Sequence, residues 1–258
     1  MDFPAETWQR LSHSHFYLDR SDTRLELDYS QVEQFYFPLV QRLLASLKPD
    51  ARLLVSVAGI PGSGKTAFST LLTGILNAHC REDIAVLIGQ DGWHYPNAYL
   101  DSHTLHFGGE EVTLRSIKGA PESYDTASAY ASLLSIRQQV EVSFPVYDRT
   151  LHDPVPNVGR ILKSQRIIIV EGNYWLLDED PWRSFYPLFD LHIFLSADTA
   201  SLMDGLRQRH LKGGKSPHTV EEHIRRVDLS NAARILQHLL PPDIIVHKTD
   251  SFRISRIE

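Results

Sequence analysis

Leu53-Leu54-Val55-Ser56-Val57-Ala58-Gly59-Ile60-Pro61-Gly62-Ser63-Gly64-Lys65-Thr66 decides how the rest of the chain is read. A run of β-favouring apolar residues stops at Gly59, and Gly59 to Thr66 then fits G-x-x-x-x-G-K-[ST], the phosphate-cradling P-loop. Glycines such as Gly62 and Gly64, on either side of Ser63, let consecutive backbone N–H groups turn inward around a phosphate. A helix starting near Lys65 aims its positive dipole end at the same anion. The Lys65 ammonium can reach the outer phosphates of ATP, and the Thr66 hydroxyl can ligate Mg²⁺. Phe68, Leu71, Leu72 and Ile75 continue at helical spacing, so the motif sits at a strand-to-helix junction. A Gly-rich turn without a ligand would rarely fall in that context.

The chain has 258 residues, 42% hydrophobic and 22% charged, which is enough for one full α/β core. A net charge of −6 and a pI near 6.1 argue against general nucleic-acid binding and membrane attachment. A single cysteine, Cys80, leaves no internal disulfide and fits a reducing cytoplasm. The first residues carry Asp2, Pro4 and Glu6 without a basic, then apolar, leader pattern, so no signal peptide is read. No apolar run approaches membrane-spanning length.

Outward from the P-loop, the apolar runs Ile84–Ile88, Ile167–Val170 and Ile244–Val246, and Leu191–Leu195 with His192 its one polar residue, read as strands covered on both faces. Helical patterns alternate with them. The fold class is therefore α/β, a P-loop NTPase-type three-layer sandwich whose mostly parallel sheet has helices on both faces. We expect one P-loop kinase domain over residues 1–258. Residues 1–50 form a largely helical extension docking on it, and 199–218 form a lid. In the extension, Ser30 with Glu33 reads as a capping box, and Val32, Phe35, Tyr36, Leu39, Leu43 and Leu47 keep helical spacing. Pro38 predicts a kink or two abutting helices. That helix could dock on its own domain or on a second copy in a homodimer. Residues 95–124, rich in Gly, Pro, Ser, His and Asp, read as a long functional or mobile loop. A short strand is expected near Val142–Phe144 and a second capping box at Thr219 and Glu222.

Ligands of such sheets bind at the carboxyl ends of the strands. Asp91 and Glu171 both fall there, beside the P-loop. A strand-end acid alone is often only a turn former. Two beside a P-loop suit phosphoryl transfer, with Glu171 organising Mg²⁺ and Asp91 free to take a proton from an acceptor hydroxyl. Arg207, Arg209 and Lys212 precede the flexible Gly213-Gly214 and suit a basic lid over the γ-phosphate. Thirteen histidines invite a metal reading, yet His13/His15 and His103/His106 show no HExxH spacing and no cysteine partner, so no zinc site is expected.

The P-loop, Asp91-Gly-Trp-His-Tyr-Pro-Asn97, Lys118-Gly-Ala-Pro-Glu-Ser-Tyr-Asp125 and Glu171-Gly-Asn173 together resemble the phosphoribulokinase/uridine kinase superfamily. Within it the chain looks most like type I pantothenate kinases and their fructose-transport-system kinase relatives, from about Val32 to Leu239. The resemblance implies Asp91 as catalytic aspartate, with Trp93 in the place of a phenylalanine. It also implies Lys65 as phosphate lysine and Arg207 in the lid. Gly59, Gly62, Ser63, Gly64, Thr66, Arg209 and Lys212 would complete the nucleotide site. Trp93, His94, Tyr147, Arg149, His152 and Asn173 would face the acceptor. Tyr147 and His152 match a Tyr-Asp-x-x-x-His spacing that holds nucleosides. Pantothenate kinases carry Tyr-Ser-His where Tyr147-Asp148-Arg149 stands here, and Arg149 suits a sugar, a sugar phosphate or a polyol acid. The expectation is an ATP- and Mg²⁺-dependent kinase of a small metabolite, with sugar-like acceptors favoured. Pantothenate or nucleoside phosphorylation is the alternative, and a nucleotide switch without an acceptor is the competing class.

Overall fold

The computed structural model describes residues 3–18, 23–138, 141–197, 199–212, 216–249 and 252–258. A six-stranded sheet organises them. Its strands in chain order are β1 (Leu53–Gly59), β2 (Ala85–Gly89), β3 (Ile167–Gly172), β4 (Leu191–Ala197), β5 (Ile244–Lys248) and β6 (Ile254–Ile257). The spatial order is β6-β5-β4-β1-β3-β2, parallel throughout except for the antiparallel β6 at one edge.

The apolar runs are buried because both faces are covered. Alternate residues part company across the sheet. Val55, Val57, Ile167 and Ile169 pack on one face, with Phe68, Leu72 and Ile75 of the P-loop helix. Leu54, Ala58, Ile168 and Val170 pack on the other, against Trp93, Trp175, Trp182 and Phe185. Each fully buried Val, Leu or Ile side chain contributes about 1.5–3 kcal/mol of transfer free energy, so these residues of β1 and β3 form the centre of the core. The sandwich and its parallel sheet are those expected.

The N-terminal segment closes the first face. Leu11, Leu25, Val32, Tyr36, Leu39, Val40 and Leu43 lie in the same cluster as the P-loop helix, and the Tyr36 ring stacks on Phe68 at 5.5 Å. The Val32–Leu47 helix thus packs on its own chain. Its cap is Asp28, whose carboxylate accepts from the Gln31 N–H, and Ser30 donates to Asp28 instead of capping. Pro38 makes no sharp break. A π turn over Val32–Tyr36 widens the helix just before Phe37–Ser46, which relieves the clash of the proline ring with the preceding turn.

Three further expectations are corrected. Residues 95–124 are mostly ordered elements: a helix (Asn97–Ser102), a hairpin (Thr104–Phe107 with Glu110–Thr113) and 3-10 turns at Leu114–Ile117 and Pro121–Ser123. Gly108 and Gly109 turn the hairpin with φ of 62° and 87°, the left-handed pair that a two-residue turn requires. The Val142 strand extends to Asp148 and pairs with Asp153–Ile161, so Tyr147 to Asp153 is the end of a second hairpin. Ser216, rather than Thr219, caps the helix Pro217–His223, its hydroxyl accepting from the Thr219 N–H. Among the described residues, no helix is long and apolar enough to cross a membrane.

Candidate active site

The β1-to-helix junction builds a phosphate cradle. Gly62 and Gly64 hold φ of 82° and 78°, which L side chains rarely adopt. A Cβ on Gly62 would also lie 2.9 Å from Leu206 Cγ, so the loop lies directly under the Thr199–Lys212 helix. The buried Lys65 ammonium donates to the carbonyls of Gly59 and Ile60 at 2.9 Å each. The Ser63 hydroxyl is buried with no hydrogen-bond partner among the described residues. Two inward-turned glycines, a tethered ammonium and an orphaned hydroxyl fit a polyphosphate. The Thr66 hydroxyl donates to Glu171 Oε1 at 3.1 Å, which places two hard oxygen ligands together at the loop, the donor type Mg²⁺ takes.

Asp91 lies two residues past β2, whose Gly89 is in register with Glu171 of β3. Its carboxylate accepts from the Tyr124 hydroxyl at 3.2 Å and lies 3.7 Å from His94 Nε2. The His94 ring is buried and stacks on Tyr124 at 3.9 Å, and its Nδ1 lies 3.1 Å from the Ser123 carbonyl, so Nδ1 is the protonated nitrogen. The Tyr124 hydroxyl, its ring stacked on His94, thus orients the Asp91 carboxylate, which stays 43% exposed.

The far side of this cleft is the second hairpin. Tyr147 is half-buried, 5.7 Å from the His94 ring, and burial pushes its phenol up to about 12, with the nearby Asp91 adding to the effect. Lys118 Nζ sits 4.9 Å over the Tyr147 ring and donates to Asn97 Oδ1 and the His152 carbonyl at 2.8 Å each. Asn97 also donates to that carbonyl, at 3.0 Å. Burial, then the charge of Arg115, lowers the Lys118 ammonium to about 8, with Asp153, Asp91 and Asp101 opposing.

Not every expected acceptor residue lines this cleft. Trp93 is 2% exposed and packs edge-on against Trp175 in the core, out of reach of a substrate. His152 has a left-handed backbone, φ 53°, and its carbonyl rather than its exposed ring meets the pocket residues. Arg149 lies at the exposed hairpin tip, where its charge is felt at Tyr147. Asn173 is half-buried directly after β3. On the Thr199–Lys212 helix, Arg207 pairs with Glu221 through Nε at 2.5 Å and Nη2 at 3.3 Å. The side chains of Arg209 and Lys212, and residues 213–215, lie outside the described residues. Lys118 and Asn97 were not expected as site residues, although both stand in the segments that carried the resemblance.

Gly92 lets the backbone of the second hairpin approach closely beside Asp91. A Cβ there would sit 2.2 Å from the Pro145 carbonyl oxygen, backbone against backbone. Gly92→Ala is expected to cost about 1–3 kcal/mol as the hairpin is forced away. A thermal melt reads that loss, and an unchanged Tm would refute the packing account.

A family model described as the phosphoribulokinase/uridine kinase family matches residues 54–250. The chain belongs to this family. Relatives agree. An uncharacterised Escherichia coli protein, YggC, is 31% identical over 86% of this chain and 90% of its own. A pantothenate kinase of Actinobacillus succinogenes is 25% identical over 90% of this chain and 83% of its own. The structure of a candidate fructose transport system kinase from Silicibacter sp. TM1040 superposes with a TM-score of 0.72 at 30% identity, covering 82% of this chain and 98% of that one. Family and neighbours together support a P-loop kinase that phosphorylates a small molecule.

Proposed function

We propose that this kinase transfers the γ-phosphate of ATP to a hydroxyl of a small, sugar-like metabolite, with Asp91 as the base. The observation that carries this reading is a partly exposed carboxylate, oriented by the Tyr124 hydroxyl and near the Tyr147 and Lys118 side chains. The acceptor hydroxyl would give its proton to Asp91 as its oxygen bonds to the γ-phosphorus and the bond to the β-phosphate oxygen breaks. Lys65 would neutralise charge on the transferring group. Thr66 and Glu171 would hold Mg²⁺, which would supply positive charge to offset that of the phosphates. Arg207, released from Glu221, would reach the same phosphates from the lid. We place the nucleotide on Gly59 to Thr66, with His94, Lys118 and Tyr147 as the acceptor wall and Arg149 at its rim.

Pocket chemistry favours an acceptor rich in hydroxyls. Tyr147 keeps its proton across the working range and stays a donor. Lys118 and Asn97 together offer N–H groups beside it. The test follows ADP release from ATP and Mg²⁺ with separate pools of sugars, sugar acids, nucleosides and pantothenate. Stimulation by a sugar or sugar-acid pool is expected. Stimulation by nucleosides or pantothenate alone would move the acceptor class, and hydrolysis that no pool stimulates would overturn the kinase reading in favour of a switch.

Lys118 adds a pH dependence. Above about pH 8 its ammonium loses a proton, and its charge-assisted bonds to Asn97 and His152 weaken. The KM for the acceptor is expected to rise through that pH, and Lys118→Met should raise KM at neutral pH and flatten the rise. For stability the sign is opposite. Between about pH 8 and the ordinary lysine range the unfolded chain binds the extra proton, so the cost of holding Lys118 charged in the fold disappears as pH climbs.

A further inference from the structure

Away from the cleft, the lid helix Thr199–Lys212 packs against the helical segment Pro217–Asp228 through Leu206, Val220, Ile224 and Met203. Set into this small apolar cluster are His210, His223 and Asp228, whose ligand-capable atoms all lie within 4.8 Å of one another. His210 and Asp228 are buried, at 8% and 5% exposure, and His210 Nε2 lies 2.7 Å from Asp228 Oδ2. The two imidazole rings stand 4.7 Å apart at 73° to each other.

The backbone explains how the third group arrives. His223 and Asp228 are five residues apart, which in an α-helix is roughly 500° of rotation and leaves them about 140° apart around the axis. Residues Ile224–Asp228 instead form a π turn, closed by the Leu229 N–H donating to the Ile224 carbonyl. Bonding at i to i+5 widens the turn, so residues five apart return to nearly the same face. The π turn therefore brings His223 and Asp228 together beneath His210 of the neighbouring helix. A helix gives up regular bonding here, and what it gains is convergence of two imidazoles and a carboxylate.

We propose that His210, His223 and Asp228 bind a transition-metal ion of the Zn²⁺ class that pins the lid helix to the helix after it. Two imidazoles and one carboxylate are a set that zinc accepts, with a fourth position left for water. Ligand atoms around a tetrahedral zinc lie roughly 3.3 Å apart, a spacing that side-chain rotation reaches from the observed one. Binding would displace the proton shared by His210 and Asp228 to solvent, as metal sites generally require. The surrounding Leu206, Val220 and Ile224 would limit solvent access to that one position. His210 stands three residues beyond Arg207 on the same helix, so a filled site would fix the base from which Arg207 swings.

The site is separate from the Thr66 and Glu171 oxygens, and the experiment keeps them apart. Tag-free full-length protein, stripped with chelator and held in excess Mg²⁺, is titrated with Zn²⁺ by calorimetry and with Co²⁺ by visible absorption. One equivalent of Zn²⁺ and the strong visible bands of low-coordinate Co²⁺ are expected. His223→Ala removes a half-exposed ligand and leaves the His210–Asp228 pair intact. It should weaken binding by more than the roughly tenfold to a hundredfold typical of losing an outer-sphere partner. His238→Ala, on an unrelated exposed histidine, should change nothing. Asp228→Asn is a second ligand variant, read only if its melting curve stays cooperative. Absence of a stoichiometric Zn²⁺ site in the wild type would overturn the proposal. So would equal affinity in the wild type and His223→Ala.

Discussion

Asp91→Asn is expected to lower turnover by roughly a hundredfold to ten thousandfold, the usual worth of a positioned general base. ATP affinity should stay near that of the wild type, because the phosphate cradle is built from Gly62, Ser63, Gly64 and Lys65, in the loop and helix start that follow β1. The amide is nearly the same size and can still accept from the Tyr124 hydroxyl, so the local structure should persist. Only the capacity to take a proton is lost. KM for the acceptor should therefore change little while kcat falls, the pattern of an interaction made in the transition state. Tyr124→Phe provides a graded comparison. It removes one hydrogen bond that orients the carboxylate and leaves the base itself, so its loss should be smaller. Phosphotransfer by Asp91→Asn at close to the wild-type rate would rule out Asp91 as the base.

The sheet and the site differ in how far they are written in local sequence. Ile167–Val170 is legible because a strand buried on both faces must be apolar at every position, a pattern no surface element imitates. The P-loop is legible because its left-handed turns admit little besides glycine. The hairpin at Thr104–Thr113 hides because it lies at the surface and each strand is only four residues long, with His106, Glu110 and Glu111 exposed. Its local signals are the alternation Thr104-Leu105-His106-Phe107 and the two-residue turn Gly108-Gly109.

Lys118 hides for another reason. Its place over Tyr147 depends on the chain reversing at Gly119, φ 105°, and on the Gly119 carbonyl being held by Tyr174 and Asn231 from distant elements. No spacing rule connects residues 118, 147 and 152. Motif position set Trp93 among the acceptor contacts, and the structure buries its ring in the core against Trp175. The convergence of His210, His223 and Asp228 is likewise invisible, since it needs a π turn and the approach of a second helix.

Lys65→Met is the other large effect, and its value lies in separating catalysis from folding. Methionine matches the length of the lysine stem but carries no charge. The developing negative charge on the transferring phosphate would lose its nearest fixed cation. Turnover should fall by roughly a hundredfold to a thousandfold or more, the scale seen when one preorganised charge-stabilising donor is removed. Stability should move little. Burying the Lys65 ammonium costs desolvation, offset by its bonds to the Gly59 and Ile60 carbonyls. The Ile60 carbonyl keeps a partner in the Ser63 N–H at 3.2 Å when the lysine is gone. Removing both the desolvation cost and its compensation leaves the Tm of the nucleotide-free protein close to that of the wild type. The rise in Tm that ATP produces by mass action should shrink, because the phosphates lose affinity. A variant that melts like the wild type, gains little from ATP and turns over poorly would show that the Lys65 charge serves the phosphates rather than the fold. Undiminished turnover would place the critical cation elsewhere, with Arg207 of the lid as the next group to replace.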